Sequence, residues 1–215
     1  MMLNPSPGEV TTAETDTMIF VECLIIIAIL SRRVSVDRFR NRLWFWIIVL
    51  LAFSSLLGAI THGLVIPDSF RNGLWKPLYL CLGFVVGLFV VGAVYDWQGR
   101  TVAIRLLPWI IGAALVFYGL TEVFKGAFLV FLLYEITGMI AALLIYLFLA
   151  VKRKIVGAGV MAIAILMTLL ASLVQASSIS LTLLVYFDHN GLFHLVQIVA
   201  LVVLATGLRM IEGAV

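Results

Sequence analysis

Leu43-Trp44-Phe45-Trp46-Ile47-Ile48-Val49-Leu50-Leu51-Ala52-Phe53-Ser54-Ser55-Leu56-Leu57-Gly58-Ala59-Ile60-Thr61-His62-Gly63-Leu64-Val65 runs for 23 residues without an Asp, Glu, Lys or Arg. A helix needs about 20 apolar residues to cross a hydrocarbon core about 30 Å thick, so this stretch is long enough to span a membrane. Trp44 and Trp46 stand at its start, where interfacial aromatics gather. Ser55, Gly58 and His62 recur at i, i+3 and i+7 and share one helical face. The stretch reads as a membrane helix with a polar stripe near one end.

Outward from it the pattern repeats. Spans are predicted at residues 15–31, 43–65, 73–95, 102–121, 127–151, 155–184 and 189–210. The sixth is long for one crossing, which predicts tilt or a break near Ser177-Ser178-Ile179-Ser180. Hydrophobic residues make up 64% of the chain and charged residues only 12%, against about 25% charged in soluble domains. The fold class is all-α: a polytopic, seven-transmembrane-helix bundle over residues 15–212. Residues 1–14, with Pro5, Pro7 and Gly8, read as a flexible polar tail. A strand barrel would alternate apolar and polar residues over segments of about ten, and these runs do not. The tail is acidic, with Glu9 and Glu14, so it lacks the basic start of a cleaved signal peptide. Cys23 and Cys81 lie inside apolar runs and form neither a disulfide framework nor a metal motif. Gly83 and Gly87 are spaced for close helix packing.

Charge gives an orientation. If seven spans alternate sides, one side holds Arg32, Arg33, Arg38, Arg40, Arg42, Arg100, Arg105, Lys152, Arg153, Lys154 and Arg209, and the other holds Arg71, Lys76 and Lys125. The basic side is expected to be cytoplasmic, with the N-terminus outside and the C-terminus inside. This sorting accounts for the basic pI without a nucleic-acid partner. The expected location is a plasma, inner or endomembrane, in contact with membrane lipids. An oligomer is compatible with the sequence.

With that topology the polar groups inside the spans fall in the outer half. They are Glu22, His62, Tyr79, Tyr118, Glu122, Glu135, Gln175, His189, Asn190, His194 and Gln197, and every span contributes one, while the inner half has little comparable. Asn190, His194 and Gln197 share a helical face, as do Thr168, Ser172 and Gln175. Intramembrane ionisable groups are costly and usually face a bundle interior or a water-filled cavity. The reading is a polar pocket near the outer side. Isolated Gln, Ser and Tyr residues also have a plainer use in interhelical hydrogen bonds.

The histidine arrangement, with Asn190-Gly191-Leu192-Phe193-His194 at the start of the last span and His62 at the end of the second, resembles the superfamily of alkaline ceramidases and progestin/adiponectin (PAQR) receptors. The resemblance implies a seven-helix protein with a zinc ion held by one histidine from helix two and two from helix seven. Here His62 and His194 match. Asn190 stands where the family has a histidine, and Gly58 where it has a serine. Catalytic zinc needs about three protein ligands and an open position. His189, Glu22, Glu135 or Asp188 are the candidates for the third.

Two functions follow. In the first, a membrane-embedded zinc hydrolase acts on an amide or ester of a lipid. Zinc would lower the pKa of its water to about 7, and Glu22 or Glu135 would carry the proton. Ser55, Gln175, Asn190 and Gln197 would help to hold the bound group. In the second, the same architecture is non-catalytic, either a receptor-like protein that binds a lipid-like ligand or a subunit of a membrane complex. A haem between His62 and His194 is a weaker third. A transporter is disfavoured, because no inverted repeat is visible and the polar groups lie to one side of the midplane.

Overall fold

The computed structural model describes residues 2–32, 37–126 and 128–212. They form seven α-helices: α1 (Pro7–Arg32), α2 (Arg38–Gly63), α3 (Asp68–Gln98), α4 (Arg100–Val123), α5 (Phe128–Val151), α6 (Ala158–Gln175) and α7 (His189–Glu212). Two short antiparallel pairs complete the described structure. β1 (Met2–Leu3) pairs with β2 (Leu64–Val65), and β3 (Leu181–Thr182) with β4 (Tyr186–Phe187). Six helices, α2 to α7, are long and apolar enough to cross a membrane. The first helix is equally long, but it carries Glu9, Glu14, Asp16 and Glu22.

Local chemistry sets the boundaries. The Asp37 carboxylate caps α2 by accepting the Arg40 N–H at 3.0 Å, and the Asp188 carboxylate caps α7 by accepting the Gly191 N–H at 2.9 Å; each satisfies an otherwise orphaned donor in a first turn. Gly157 precedes α6 at φ +89°, and a Cβ there would stand 2.8 Å from Met210 Cβ, so both its conformation and its space call for glycine.

Helix packing defines a ring. α1 packs on α2, α2 on α3, α3 on α5, α5 on α6, α6 on α7 and α7 on α1, while α4 lies outside it, mainly against α3. The Gly83 and Gly87 positions make the α3–α4 contact close: a Cβ at Gly83 would meet the Phe117 ring at 2.7 Å, and one at Gly87 would meet Ile110 at 2.6 Å.

Two expectations change and one holds. The polar tail is largely helix: α1 begins at Pro7, and Thr11, Thr12, Thr15 and Asp16 are buried. The threonine side chains have partners, so they need no water: Thr15 Oγ1 is 2.9 Å from the carbonyls of both Thr11 and Thr12. The sixth span breaks as its length allowed, with α6 ending at Gln175 and a β-hairpin following. At the basic end, where little polarity was expected, Arg40 is buried and bonded through Nε to Asp96 Oδ1 at 2.7 Å. Tyr146, fully buried, donates to Asp96 Oδ2 at 2.8 Å, and Tyr95 donates to Asp37.

Candidate ligand cavity

The ring encloses a cavity of about 480 Å³, lined from all six ring helices and not from α4. Its volume lies in the range of small-molecule sites, about 300–1,000 Å³. It follows the bundle axis. On α2 its lining runs from Ile47 to His62, and on α7 from His189 to Leu204; fifteen residues at 1.5 Å each make roughly 22 Å. The half towards the basic end is hydrocarbon: Ile47, Ile48, Val85, Val86, Phe89, Met139, Ile165, Leu201 and Leu204. The other half collects the polar groups.

Ten of the polar residues read from sequence meet there, Tyr79 and Thr168 among them. Ser55, His62, Glu135, Gln175, His189, Asn190, His194 and Gln197 all line this one cavity. Glu135, 5% exposed, accepts from Ser172 Oγ at 2.8 Å. Gln197 accepts from Thr168 at 3.1 Å, and Asn190 accepts from Gln175 Nε2 at 3.2 Å. The α4 groups do not take part. Glu122 pairs with Lys76 at 2.7 Å on the surface, because α4 stands outside the ring. Glu22 is also absent from the lining. It sits at the margin of the buried face of α1, with both carboxyl oxygens buried and without a hydrogen-bond partner.

The carboxyl that does face the cavity from α1 is Asp16, which falls at the start of the first predicted span and is not among the site residues singled out from sequence. It is 6% exposed, and its Oδ1 stands 3.5 Å from His194 Nε2. Gly58 of α2 makes the room, since a Cβ there would lie 2.4 Å from Asp16 Oδ2. A signal was available. Thr12, Asp16, Ile19, Cys23, Ile26 and Leu30 are all buried, and their alternating spacing of four and three is one continuous helical stripe.

The N-terminal segment covers the polar end of the bundle. Asn4 donates through Nδ2 to the His62 carbonyl at 3.0 Å. Glu9 Oε2 takes a hydrogen bond from His62 Nδ1 at 2.8 Å. That bond holds the Glu9 carboxyl, in the first turn of α1, below its ordinary value. Thr11 donates to the Tyr186 carbonyl, and Thr12 to Asp188 Oδ1. These bonds tie the first turns of α1 to the end of α2 and the start of α7.

The donors as placed do not make the zinc site that the resemblance implies. One His62 nitrogen is engaged by Glu9, and the two His194 nitrogens face Thr15 and Asp16. Asp188 Oδ1 is shared by Gly191 N–H and Thr12. Among the described residues no three His, Cys, Asp or Glu side chains converge as a metal needs, and a catalytic zinc calls for about three.

Fold and cavity together define a helical, multi-pass membrane protein with an internal amphipathic chamber. The chain belongs to a family of unknown function, DUF6962, whose model matches residues 11–212. No curated protein and no solved structure matches it.

Proposed function

We propose that this protein holds one lipid-like amphiphile inside its helix ring, with the apolar tail towards the basic end and the head among Asp16, Glu135 and His194. The observation that carries the reading is the division of one continuous cavity into a hydrocarbon half and a polar half. A sugar or an ion would leave the lower half unfilled, and a plain hydrocarbon would strand the polar groups of the upper half. In the same reading α1 is a seventh span, the N-terminus is outside, and the head lies in the outer leaflet. Native mass spectrometry of the intact protein released from micelles tests it. One amphiphile per chain is expected, and Leu204→Trp or Ala164→Phe, which fill the apolar half, should remove it while the protein still melts cooperatively. Protein that stays empty when long-chain amphiphiles are supplied sinks the reading.

A second reading, hydrolysis of an acyl bond in the bound amphiphile, is favoured by one observation: His194 Nε2 and Asp16 lie side by side against the cavity. In this form the imidazole takes a proton from water as the water attacks the carbonyl, and it returns the proton to the leaving oxygen or nitrogen. This replaces the zinc-bound water that the resemblance implies. Release of free acid from a long-chain ester or amide, insensitive to chelators and lost in His194→Gln, is the expected result; intact lipid after prolonged incubation rejects it.

A further inference from the structure

The hydrogen-bonding balance of the polar half says what head group it takes, an inference that rests on the amphiphile reading above. His194 Nδ1 lies 3.1 Å from Thr15 Oγ1. That hydroxyl is already 2.9 Å from the carbonyls of Thr11 and of Thr12. A hydroxyl has one proton, and both carbonyls accept it, so towards His194 the Thr15 oxygen acts as acceptor. Nδ1 therefore carries the ring proton, and the neutral imidazole leaves a lone pair on Nε2. Nε2 faces Asp16 at 3.5 Å, beyond ordinary hydrogen-bond length.

Asp16 is more than nine-tenths buried, lines the cavity and receives no hydrogen bond from the described residues. Gln175 Oε1 is likewise buried without a partner, while its Nε2 is spent on Asn190. Glu135 adds a second buried carboxyl. Two buried carboxyls and the Gln175 oxygen thus stand in this half beside the amide N–H donors of Asn190 and Gln197, and among the described lining residues there is no Lys or Arg to balance the acids. Buried acceptors without donors are costly, and buried carboxylates need a compensating charge. Aromatic faces stand around the same half: Trp75 and Tyr79 are stacked at 5.6 Å between centroids, and His62 meets Trp75 edge-on.

We propose that the cavity selects a long-chain amphiphile with a cationic amine head. The ammonium brings three donors, enough for Asp16, Gln175 Oε1 and the His194 Nε2 lone pair. Its charge meets the carboxylates of Asp16 and Glu135, and the aromatic faces add cation–π attraction. An alkyl ammonium, like a lysine side chain, stays charged at neutral pH.

The test uses the full chain in discs of zwitterionic phospholipid, with protein-free discs as the partition control. Three probes share one tail: hexadecylamine, hexadecanol and hexadecanoate. At pH 7 the amine should bind about tenfold tighter than the alcohol or more, with the acid weakest. In Asp16→Asn the ratio of amine to alcohol binding should fall to about one, with cooperative thermal unfolding showing that the variant is folded. Glu135→Gln, checked for folding in the same way, should narrow the ratio in the same direction. Equal binding of amine and alcohol, or tightest binding of the acid, overturns the cationic head and leaves the amphiphile cavity standing. An amine preference undiminished in both variants also overturns it. Binding of none of the three overturns the amphiphile reading itself.

Discussion

Gly58 and Asp16 define each other. Gly58 lies at the α1–α2 contact, and the Asp16 carboxyl occupies the volume where its side chain would begin. A serine at this place would collide with the aspartate. Gly58→Ser should therefore push Asp16 off α2, cost about 1–3 kcal/mol as overpacking does, and weaken ligand binding. Gly112 of α4 is the control, because a Cβ there meets nothing within 4 Å. Gly112→Ala should be neutral or stabilising by up to about 1 kcal/mol, the helix-propensity gain. Reversible unfolding in mixed micelles would measure both, and a Gly58→Ser protein as stable as the parent would refute the packing. The sequence gives the residue types of the cavity well, because polar groups in apolar runs stand out. Ten such residues converge. Asp16 escapes because it stands at the very start of the first predicted span, next to the acids and threonines of the predicted tail, where a carboxylate is unremarkable until the helix is seen to begin at Pro7.

At the scale of elements, the unexpected feature is the ionic knot at the basic end. Arg40 of α2 bonds through Nε and Nη2 to both oxygens of Asp96 of α3, and Glu212 of α7 lies 3.7 Å from its Nη1. Tyr146 of α5 adds a hydroxyl to Asp96. The knot pins four ring helices where the cavity is purely apolar and has no polar contacts of its own. From sequence these charges read as loop residues sorted by the membrane, because Arg40 and Asp96 fall just outside the apolar runs, in loops far apart in the chain. Only the ring order brings them together. Breaking one side of a buried pair costs about 3–5 kcal/mol, since a lone buried charge remains, whereas replacing both sides by apolar residues can be nearly neutral. Asp96→Leu should thus be severely destabilised, and Arg40→Met/Asp96→Leu should recover much of the loss. A double-mutant cycle on unfolding free energies checks this. Single and double variants of equal stability would show that the knot contributes nothing.

For the molecule as a whole, hydropathy shows helices that span but cannot show which of them stand in the ring. In sequence α4 looks like its neighbours, with Tyr118 and Glu122 near one end, yet it lies outside and lends nothing to the cavity. Its place is set by shape: the Gly83 and Gly87 notch of α3 receives Phe117 and Ile110. The first helix is the opposite case. Its acids keep it below the composition of a membrane span, yet it closes the ring between α2 and α7, with Thr11, Thr12, Thr15 and Asp16 turned inward. The proposed orientation follows from that closure together with the basic residues gathered at the other end of the bundle. If α1 crosses with its neighbours, the two ends of the ring lie on opposite sides of the membrane. A cysteine at Ser6, exposed before α1, should then react with an impermeant maleimide added to intact cells. One at Lys152, exposed after α5, should react only after permeabilisation. The native Cys23 and Cys81 are buried and set a low background. Labelling of both sites from outside would mean that α1 does not cross in register with the ring. The reverse pattern would invert the molecule and place the polar half of the cavity, with Asp16 and His194, at the cytoplasmic leaflet.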